Sequence, residues 1–264
     1  MKKYLVIGYP IRHSLSPLLH NYWIKKSKID AIYEKKILKS SELKDLIINF
    51  KQKKIEGINV TIPFKKEVIP FLDILSPNAE ATQSVNTISL KNNKIVGDNT
   101  DIDGFELSIK NIKFDLTNKK VFLLGAGGVV PSIIFALKKM NVKNIVLSNR
   151  TKSKAENIKN SFEDIKITNW GDVPDFDIVI NATSLGLNEK DEINLSFPKA
   201  SGSKLFYDII YNPKETNFLK QGKKLGYKIE NGEKMFVYQA AAAFNIWNGK
   251  YPEIDSEVDK LLEQ

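Results

Sequence analysis

Short runs of β-branched and aromatic residues alternate along the chain with longer segments whose apolar residues follow helical spacing. The runs read YLVIG, AIYEKKIL, GINVTI, KKVFLLGAG, KNIVLSN, DIVINATS and KLFYDII, in that order. Strands that alternate with helices are typical of α/β proteins, in which each helix connects two parallel strands. The pattern therefore predicts an α/β fold with mainly parallel sheet.

The start of the first helix is indicated by Ser16 followed by Pro17. Serine is a favoured N-cap residue and proline a favoured first helical residue, so the pair predicts a helix that Ser16 caps. Apolar residues follow at positions 18, 19, 22 and 23. Ser14 and Ser16 are thus expected at the entrance of a helix.

The pair Asn92–Asn93 separates the segments VNTISL and KIVGDNT. Asparagine tolerates the backbone conformations of tight hairpin turns, so this pair predicts a hairpin and an antiparallel portion of the sheet. Near the end of the chain, alanines and apolar spacing predict that the whole segment 231–264 is helical.

A second series of alternating strands and helices begins near Lys119 and runs to about Asn231. This second series predicts a separate domain, with the boundary between Asp101 and Asp115. The chain is therefore expected to have two domains, and the last helical segment is expected to return to the first of them.

Composition limits the classes of function that the chain can have. Hydrophobic residues make up 42% and charged residues 27% of 264 residues, which is ordinary for a folded protein. The net charge of +9 comes from scattered lysines, which does not predict a nucleic-acid interface. With no cysteine and two histidines, no metal site is expected. No run approaches the ~20 apolar residues of a membrane span, so a cytoplasmic protein without a membrane partner is predicted.

The segment KKVFLLGAGGVV joins an apolar strand to Gly125, Gly127 and Gly128, and the helical pattern PSIIFALKKM follows. A glycine-rich turn between a strand and a helix is the setting of a dinucleotide-binding loop, in which backbone amides approach a pyrophosphate. The match to the GxGxxG pattern is imperfect because Val130 replaces the third glycine.

The residues after the next strand indicate which dinucleotide is bound. A site for NAD usually has an acidic residue there, whereas a site for NADP has basic residues for the 2′-phosphate. This chain has SNRTKSK at that point, which offers Asn149, Arg150, Thr151 and Lys154 and no carboxylate. The sequence therefore favours NADP over NAD.

Nine short motifs, in this order, together resemble the shikimate dehydrogenase family. They are GYPIRHSLSPLLHN, NVTIPFKKE, SVNTI, GDNTD, GAGG, SNRT, NATSLG, YNPKET and NGEKMFVYQAAAAFNIW. The resemblance covers nearly the whole chain. It implies reversible, NADPH-dependent reduction of 3-dehydroshikimate to shikimate, in the pathway to chorismate and the aromatic amino acids.

The resemblance also implies a domain plan. Residues 1–102 would form a substrate-binding and catalytic domain, on which residues 232–264 return to pack. Residues 103–231 would form a Rossmann-type NADP-binding domain. The sequence leaves the oligomeric state open between a monomer and a homodimer.

By the same resemblance, Lys65 is expected to be the general acid/base and Asp101 its partner. Adjacent helical residues point about 100° apart, so only one of Lys65 and Lys66 can face a site, and Lys66 is interpreted as a surface residue. His13 and His20 are interpreted as packing or loop residues. The residues expected to contact the substrate are Ser14, Ser16, Thr61, Lys65, Asn86, Asp101, Tyr211 and Gln239.

The family pattern also assigns residues to the cofactor. Val130 and Pro131 depart from the residues usual after GAGG and leave the packing of the loop open. The expected cofactor contacts are Gly125, Ala126, Gly127, Gly128 and Val129 at the pyrophosphate, Asn149, Arg150, Thr151 and Lys154 at the adenosine phosphate, and Ile209 and Gly232 at the nicotinamide.

Two alternatives remain at this point. The first is a quinate/shikimate dehydrogenase that uses NAD, against which Arg150, Thr151 and Ser14 argue. The second is a non-catalytic NADP-binding protein on the same fold, since fold alone does not fix function. Such a protein would be expected to lack the lysine or the carboxylate, and both are present.

Overall fold

The computed structural model describes residues 1–52, 55–188, 190–199 and 202–263. The chain divides into two compact units, one of Met1–Phe105 with Val237–Gln264 and the other of Glu106–Phe236. Each unit contains one six-stranded sheet. The predicted α/β class is confirmed.

The strands are numbered in chain order. They are β1 (Lys2–Gly8), β2 (Ala31–Ile37), β3 (Gly57–Val60), β4 (Ile74–Leu75), β5 (Thr87–Lys91), β6 (Lys94–Asp98), β7 (Lys120–Leu124), β8 (Asn144–Ser148), β9 (Lys166–Thr168), β10 (Ile178–Asn181), β11 (Leu205–Asp208) and β12 (Lys228–Glu230).

The helices are numbered in the same way. They are α1 (Ser16–Lys26), α2 (Leu43–Lys51), α3 (Phe64–Glu67), α4 (Pro77–Thr82), α5 (Asp101–Asn111), α6 (Val130–Lys139), α7 (Lys152–Lys159), α8 (Asn217–Lys224), α9 (Glu233–Asn248) and α10 (Ser256–Leu261). No helix in the described ranges is long and apolar enough to cross a membrane.

The sheet of the first unit has the strand order β2-β1-β3-β5-β6-β4. Strands β2, β1 and β3 are parallel, whereas β5 is antiparallel to both β3 and β6. The amino end of β5 therefore lies at the same edge of the sheet as the carboxyl ends of β1, β3 and β6. The residues that follow β1, β3 and β6 and the residues that precede β5 therefore meet at this edge.

The predicted hairpin at Asn92–Asn93 is confirmed. Strands β5 and β6 pair antiparallel up to Lys91 and Lys94, which leaves the two asparagines as a two-residue turn. Their φ angles are 51° and 62°, which is the left-handed region that the favoured two-residue hairpin turn requires at both positions.

The predicted cap of the first helix is wrong by one residue. Helix α1 begins at Ser16 itself, its N-cap residue is Leu15, and no side chain caps it. Instead the hydroxyl of Ser14 accepts a hydrogen bond from the amide of Ser16 at 3.3 Å. Serine side chains form such short-range bonds readily, and this one places Ser16 inside the first turn.

The prediction of a helix throughout the segment 231–264 is also wrong in part. Helix α9 ends at Asn248, and α10 does not begin until Ser256. Gly249 has a φ angle of 71°, and Pro252 follows three residues later. A glycine in the left-handed conformation followed by a proline is a common helix stop.

The sheet of the second unit has the strand order β12-β11-β10-β7-β8-β9, and its strand pairs are all parallel. Numbered within this unit, the order is 6-5-4-1-2-3, which is the order of the Rossmann fold. In such sheets the direction of winding reverses between the first and fourth strands, here β7 and β10. Ligands of these folds bind outside the carboxyl ends of the strands at that point.

His20 lies in an aromatic cluster in the first unit. Its ring stacks on Tyr33 with centroids 4.3 Å apart, and Trp23, Phe244 and Trp247 surround it. The side chain is 1% exposed, and neither ring nitrogen has a hydrogen-bond partner among the described residues. Burial therefore lowers the pKa of His20 to about 3, from a usual value near 6.5.

Because burial lowers the pKa of His20, we expect the protein to lose stability in acid. In the unfolded chain His20 takes up a proton below about pH 6.5, and the folded chain must exclude that proton until pH 3. Above about pH 6.5 the proton uptake of His20 does not change the free energy of unfolding. Below that pH the free energy of unfolding falls by up to about 1.4 kcal/mol per pH unit. The free energy of unfolding, measured in urea, should fall between pH 7.5 and pH 5 by about 2 kcal/mol more in the wild type than in His20→Phe. Equal differences would contradict the prediction.

Candidate active site

Three predicted site residues meet at the shared edge of the first sheet. Thr61 follows β3, Asn86 precedes β5, and Asp101 follows β6 at the first position of α5. Backbone hydrogen bonds fix their relative positions, since the amide of Val60 donates to Asn86 O at 2.8 Å and the amide of Asn86 donates to Asp98 O at 3.0 Å. Residues far apart in the sequence are thereby placed side by side.

Lys65 and Asp101 form an ion pair at this edge. The distance from Lys65 Nζ to Asp101 Oδ2 is 2.5 Å, and the two side chains are 12% and 8% exposed. The backbone carbonyl of Lys65 also accepts a hydrogen bond from the amide of Val85 at 2.8 Å. The lysine is therefore held at both its backbone and its ammonium group, which gives the ammonium a defined position.

Lys66 differs from its neighbour in its surroundings. Lys66 is exposed, whereas Lys65 is partly buried. Both lie on the single turn α3, where successive side chains diverge by about 100°. The predicted distinction between the two lysines therefore agrees with their burial.

Asn86 connects the ion pair to the surrounding residues. Its amide nitrogen donates to Asp101 Oδ1 and to Thr100 Oγ1, both at 2.9 Å, and lies 3.4 Å from Gln239 Oε1. The second oxygen of Asp101 remains for Lys65. Each oxygen of this carboxylate thus has its own donor, and Gln239 of α9 belongs to the same polar group.

Ser14 and Ser16 form a second polar group in the first unit. Their hydroxyl oxygens lie 3.2 Å apart at the start of α1. The hydroxyl of Ser16 also interacts with the hydroxyl of Tyr33. Burial raises the pKa of Tyr33 well above its usual value, so this hydroxyl stays protonated and donates to Asn59 Oδ1 at 2.7 Å.

Tyr33 and Asn59 were not predicted as site residues, although they link the two polar groups. Asn59 Nδ2 donates to Asn86 O and to Thr87 Oγ1, each at 3.1 Å, and Thr87 Oγ1 donates to Asn86 Oδ1 at 3.0 Å. A signal for Asn59 was present, because an amide side chain inside the apolar run GINVTI needs buried partners. Tyr33 gave no such signal, since tyrosine is common in strands.

Tyr211 belongs to the second unit. Its ring stacks on Phe236 with centroids 4.6 Å apart, and the residue is partly buried. The stacking fixes the direction of the phenol ring. Its predicted contact with a substrate stays a prediction.

The glycine-rich loop lies between β7 and α6, at the carboxyl edge of the second sheet. Gly125 has a φ angle of 111°, and a Cβ atom there would stand 2.7 Å from Ala182 O, beyond the end of β10. Glycine is therefore required at position 125 by both backbone conformation and packing. The loop passes the point where the winding of the sheet reverses.

Gly127 has a different reason to be glycine. The nearest described atom to a Cβ there would be Ala182 O, at 4.0 Å, and both Gly127 and Gly128 are exposed. Packing within the described chain does not exclude a side chain at position 127, so the open space fits the close approach of a ligand. Pro131 lies in the first turn of α6, where its missing amide costs no helical hydrogen bond.

Of the residues predicted for the adenosine phosphate, Asn149, Arg150 and Thr151 lie between β8 and α7, and Lys154 lies in the first turn of α7. Arg150, Thr151 and Lys154 are exposed, and the side-chain amide of Asn149 donates to Thr151 O at 2.8 Å. Helix α7 begins Lys-Ser-Lys-Ala, although a helix amino terminus favours negative charge. Cations at this end are unfavourable on their own and fit an anion such as a phosphate group.

Ile209 and Gly232 are brought together in the second unit. A Cβ atom on Gly232 would stand 2.0 Å from the carbonyl oxygen of Ile209, so only glycine fits. The amide of Gly232 donates to Ile210 O at 3.0 Å. The two residues predicted for the nicotinamide end are therefore direct neighbours at the carboxyl end of β11.

Side chains that could bind a metal ion are not clustered in the described ranges. No group of three or more His, Cys, Asp or Glu side chains within them is placed to hold an ion. The first unit contains the ion pair and the hydroxyl groups, and the second unit contains the glycine-rich loop.

Three family models match the chain. Residues 6–88 match the shikimate dehydrogenase substrate binding domain, residues 106–217 match shikimate / quinate 5-dehydrogenase, and residues 232–256 match the shikimate 5′-dehydrogenase C-terminal domain. Together these matches cover most of both units.

Individual relatives agree with the family models. The chain is 58% identical over 262 residues to the NADP(+) shikimate dehydrogenase of Pelagibacter ubique, with 99% of each chain covered. The shikimate dehydrogenase structure from Aquifex aeolicus is 36% identical, with a TM-score of 0.89 over 100% of this chain and 98% of that chain. The Thermus thermophilus enzyme in complex with NADP(H) and shikimate is 28% identical, with a TM-score of 0.89 over 100% of this chain and 99% of that chain. The chain belongs to the shikimate dehydrogenase family.

Proposed function

We propose that the chain catalyses the reversible, NADPH-dependent reduction of 3-dehydroshikimate to shikimate, a step towards chorismate and the aromatic amino acids. The observation that carries the proposal is the ion pair of Lys65 and Asp101, held at a sheet edge among polar side chains. The name of a relative that is 58% identical over almost the full length supports the same activity and the same cofactor.

Lys65 is the proposed proton-transfer group. Reduction of a carbonyl group leaves an oxygen that must gain a proton, and an ammonium group held in a fixed position supplies it. In the reverse direction the neutral amine takes the proton from the hydroxyl group. Asp101, whose Oδ2 atom lies 2.5 Å from Lys65 Nζ, orients the amine.

Ser14 and Ser16 are the proposed ligands of the substrate carboxylate. Both hydroxyls lie at the first turn of α1, where free amides and the helix dipole favour an anion. The remaining substrate contacts would hold the ring hydroxyls through hydrogen bonds. These contacts are Thr61, Asn86, Asp101, Gln239 and Tyr211.

The second unit is proposed to hold NADP. NADP, when bound, supplies the redox chemistry of the reaction. Backbone amides of the loop 125–129 would bind the pyrophosphate, and Ile209 with Gly232 would contact the nicotinamide. The 2′-phosphate would be held by residues just before and in the first turn of α7, namely Asn149, Arg150, Thr151 and Lys154.

The proposal predicts a specific pattern of turnover. The purified protein should reduce NADP when shikimate is added, and the rate should be highest with this pair of substrates. The absorbance of the reduced nicotinamide measures the rate, and quinate and NAD serve as alternative substrates. Equal or faster rates with quinate or NAD would favour the broader specificity. Binding of NADP without any shikimate-dependent reduction would contradict an enzymatic role.

A further inference from the structure

Asp208 is a buried carboxylate at the carboxyl end of β11, and the proposed function gives it no role. Its Oδ1 atom accepts hydrogen bonds from Asn181 Nδ2 and from the amide of Ile210, both at 3.0 Å. Its Oδ2 atom accepts a hydrogen bond from the hydroxyl of Thr216 at 2.6 Å. Burial raises the pKa of Asp208 to about 6, and these donors oppose that rise.

Two of these donors extend the contacts into other segments. Asn181 Oδ1 accepts from both the amide and the hydroxyl of Thr183, at 3.0 and 2.7 Å, and Asn181 Nδ2 also donates to Leu185 O at 3.0 Å. Thr216 is the N-cap residue of α8 and accepts from the amide of Leu219. One carboxylate thus ties the turn after β10 to the segment 209–216.

Both segments border the predicted cofactor residues. The carbonyl oxygen of Ala182, in the turn after β10, is the atom that requires glycine at position 125. The backbone of Ile209, directly after Asp208, requires glycine at position 232. A shift of either segment would therefore move the backbone against which one of these glycines packs.

We propose that Asp208 is a positioning residue that sets the geometry of the nicotinamide end of the cofactor site through Ile209, against whose backbone Gly232 packs. The proposal rests on the proposed function, in which Ile209 and Gly232 contact the nicotinamide. Asp208 itself lies beneath the residues that would touch the cofactor and acts on the cofactor through them.

The chemistry of the carboxylate makes Asp208→Asn an informative change. The carboxylate is an acceptor at both oxygens, whereas an asparagine amide has one acceptor and one donor group. If the new oxygen accepts from Asn181 and Ile210, the new amino group faces the hydroxyl of Thr216, which then loses its acceptor. The shape is conserved while one buried hydrogen bond is lost.

The test compares two ligands by calorimetry on the full chain. NADP contains the nicotinamide end, whereas adenosine 2′,5′-bisphosphate contains only the adenosine end. Asp208→Asn should weaken NADP binding about tenfold, because part of the binding free energy is then used to order the segment that carries Ile209, and should leave the affinity for the bisphosphate within about twofold of the wild type. Equal weakening of both ligands, or NADP affinity within about twofold of the wild type, would overturn the proposal.

Two further comparisons separate positioning from a general structural role. Asp177 precedes β10, at the opposite edge of the same sheet, and accepts a hydrogen bond from the amide of Lys120. Asp177→Asn should therefore leave the affinities for NADP and for the bisphosphate unchanged. Thr216→Val removes the hydroxyl that donates to Asp208 and should weaken NADP binding without weakening bisphosphate binding. Thr216→Ser keeps the hydroxyl and should bind NADP with the affinity of the wild type. This pair decides the question if Asp208→Asn does not fold. Failure of the wild type to bind NADP would instead remove the proposed function.

Discussion

Replacing Lys65 by methionine should lower kcat about a thousandfold and leave the affinity for shikimate within severalfold of the wild type. General acid–base groups contribute roughly 10²–10⁴-fold to rate, and Lys65 is the proposed proton-transfer group. Methionine keeps most of the length of the side chain but can neither donate nor accept the proton. The other proposed contacts, Ser14 and Ser16 among them, remain to bind the substrate.

Lys66→Met provides the matched control for this change. The two residues are adjacent on one helical turn, but Lys66 is exposed and has no proposed contact with the substrate. Steady-state kinetics should show Lys66→Met within about twofold of the wild type, and calorimetry with shikimate should separate binding from turnover in Lys65→Met. Circular dichroism should be recorded for both variants, because Lys65→Met leaves the carboxylate of Asp101 without its cation. Similar rates for the two variants would remove Lys65 from the mechanism.

Replacing Arg150 by alanine should raise the KM for NADP about ten- to hundredfold and leave the KM for NAD nearly unchanged. The guanidinium group is proposed to bind the 2′-phosphate, which NAD lacks, and a hydrogen bond between charged groups contributes about 1.5–3 kcal/mol. Because Arg150 is exposed, its loss should not affect folding. The effect should diminish at high salt, since the contact is electrostatic and close to solvent.

Lys159→Ala is the control for Arg150→Ala. Lys159 lies in the last turn of α7, the helix that follows Arg150 in the chain, and it is also exposed, so its removal changes the net charge by the same amount. Initial rates with both cofactors at low and high salt should show little change in this variant. An equal rise in the KM for NADP in both variants would indicate a general effect of charge and would exclude a specific contact at Arg150.

Much of the fold could be predicted because its signals are local. The apolar runs correspond to β1, β2, β3, β7, β8, β10 and β11, and the two asparagines form the hairpin turn. Strands β4, β9 and β12 have two or three residues each, which is too short to show a period in the sequence. Their positions depend on pairing with longer strands.

The site could be predicted in part for a different reason. Motif resemblance identified Lys65 and Asp101, which the fold brings within 2.5 Å across 36 positions of sequence. Tyr33 and Asp208 escaped prediction because their importance lies in buried hydrogen bonds to distant residues. Buried polar groups need partners, but the sequence does not reveal which partners the fold supplies. The cap of α1 was misplaced because Ser14 and Ser16 satisfy each other locally.

The hairpin of β5 and β6 limits which substitutions and insertions the chain can accept. Asn86 and Asp101 stand at the two open ends of one hairpin, and the pairing of Thr87 with Asp98 fixes them relative to each other. The two-residue turn at the far end of the hairpin therefore determines which side chains face each other near the ion pair. Substitution by glycine or aspartate, which also adopt the left-handed conformation, keeps the turn, but a one-residue insertion taken up by β6 would turn each of its side chains to the opposite face. A turn remote from the chemistry is in this way constrained in length, and its left-handed backbone also favours asparagine, aspartate or glycine at both positions.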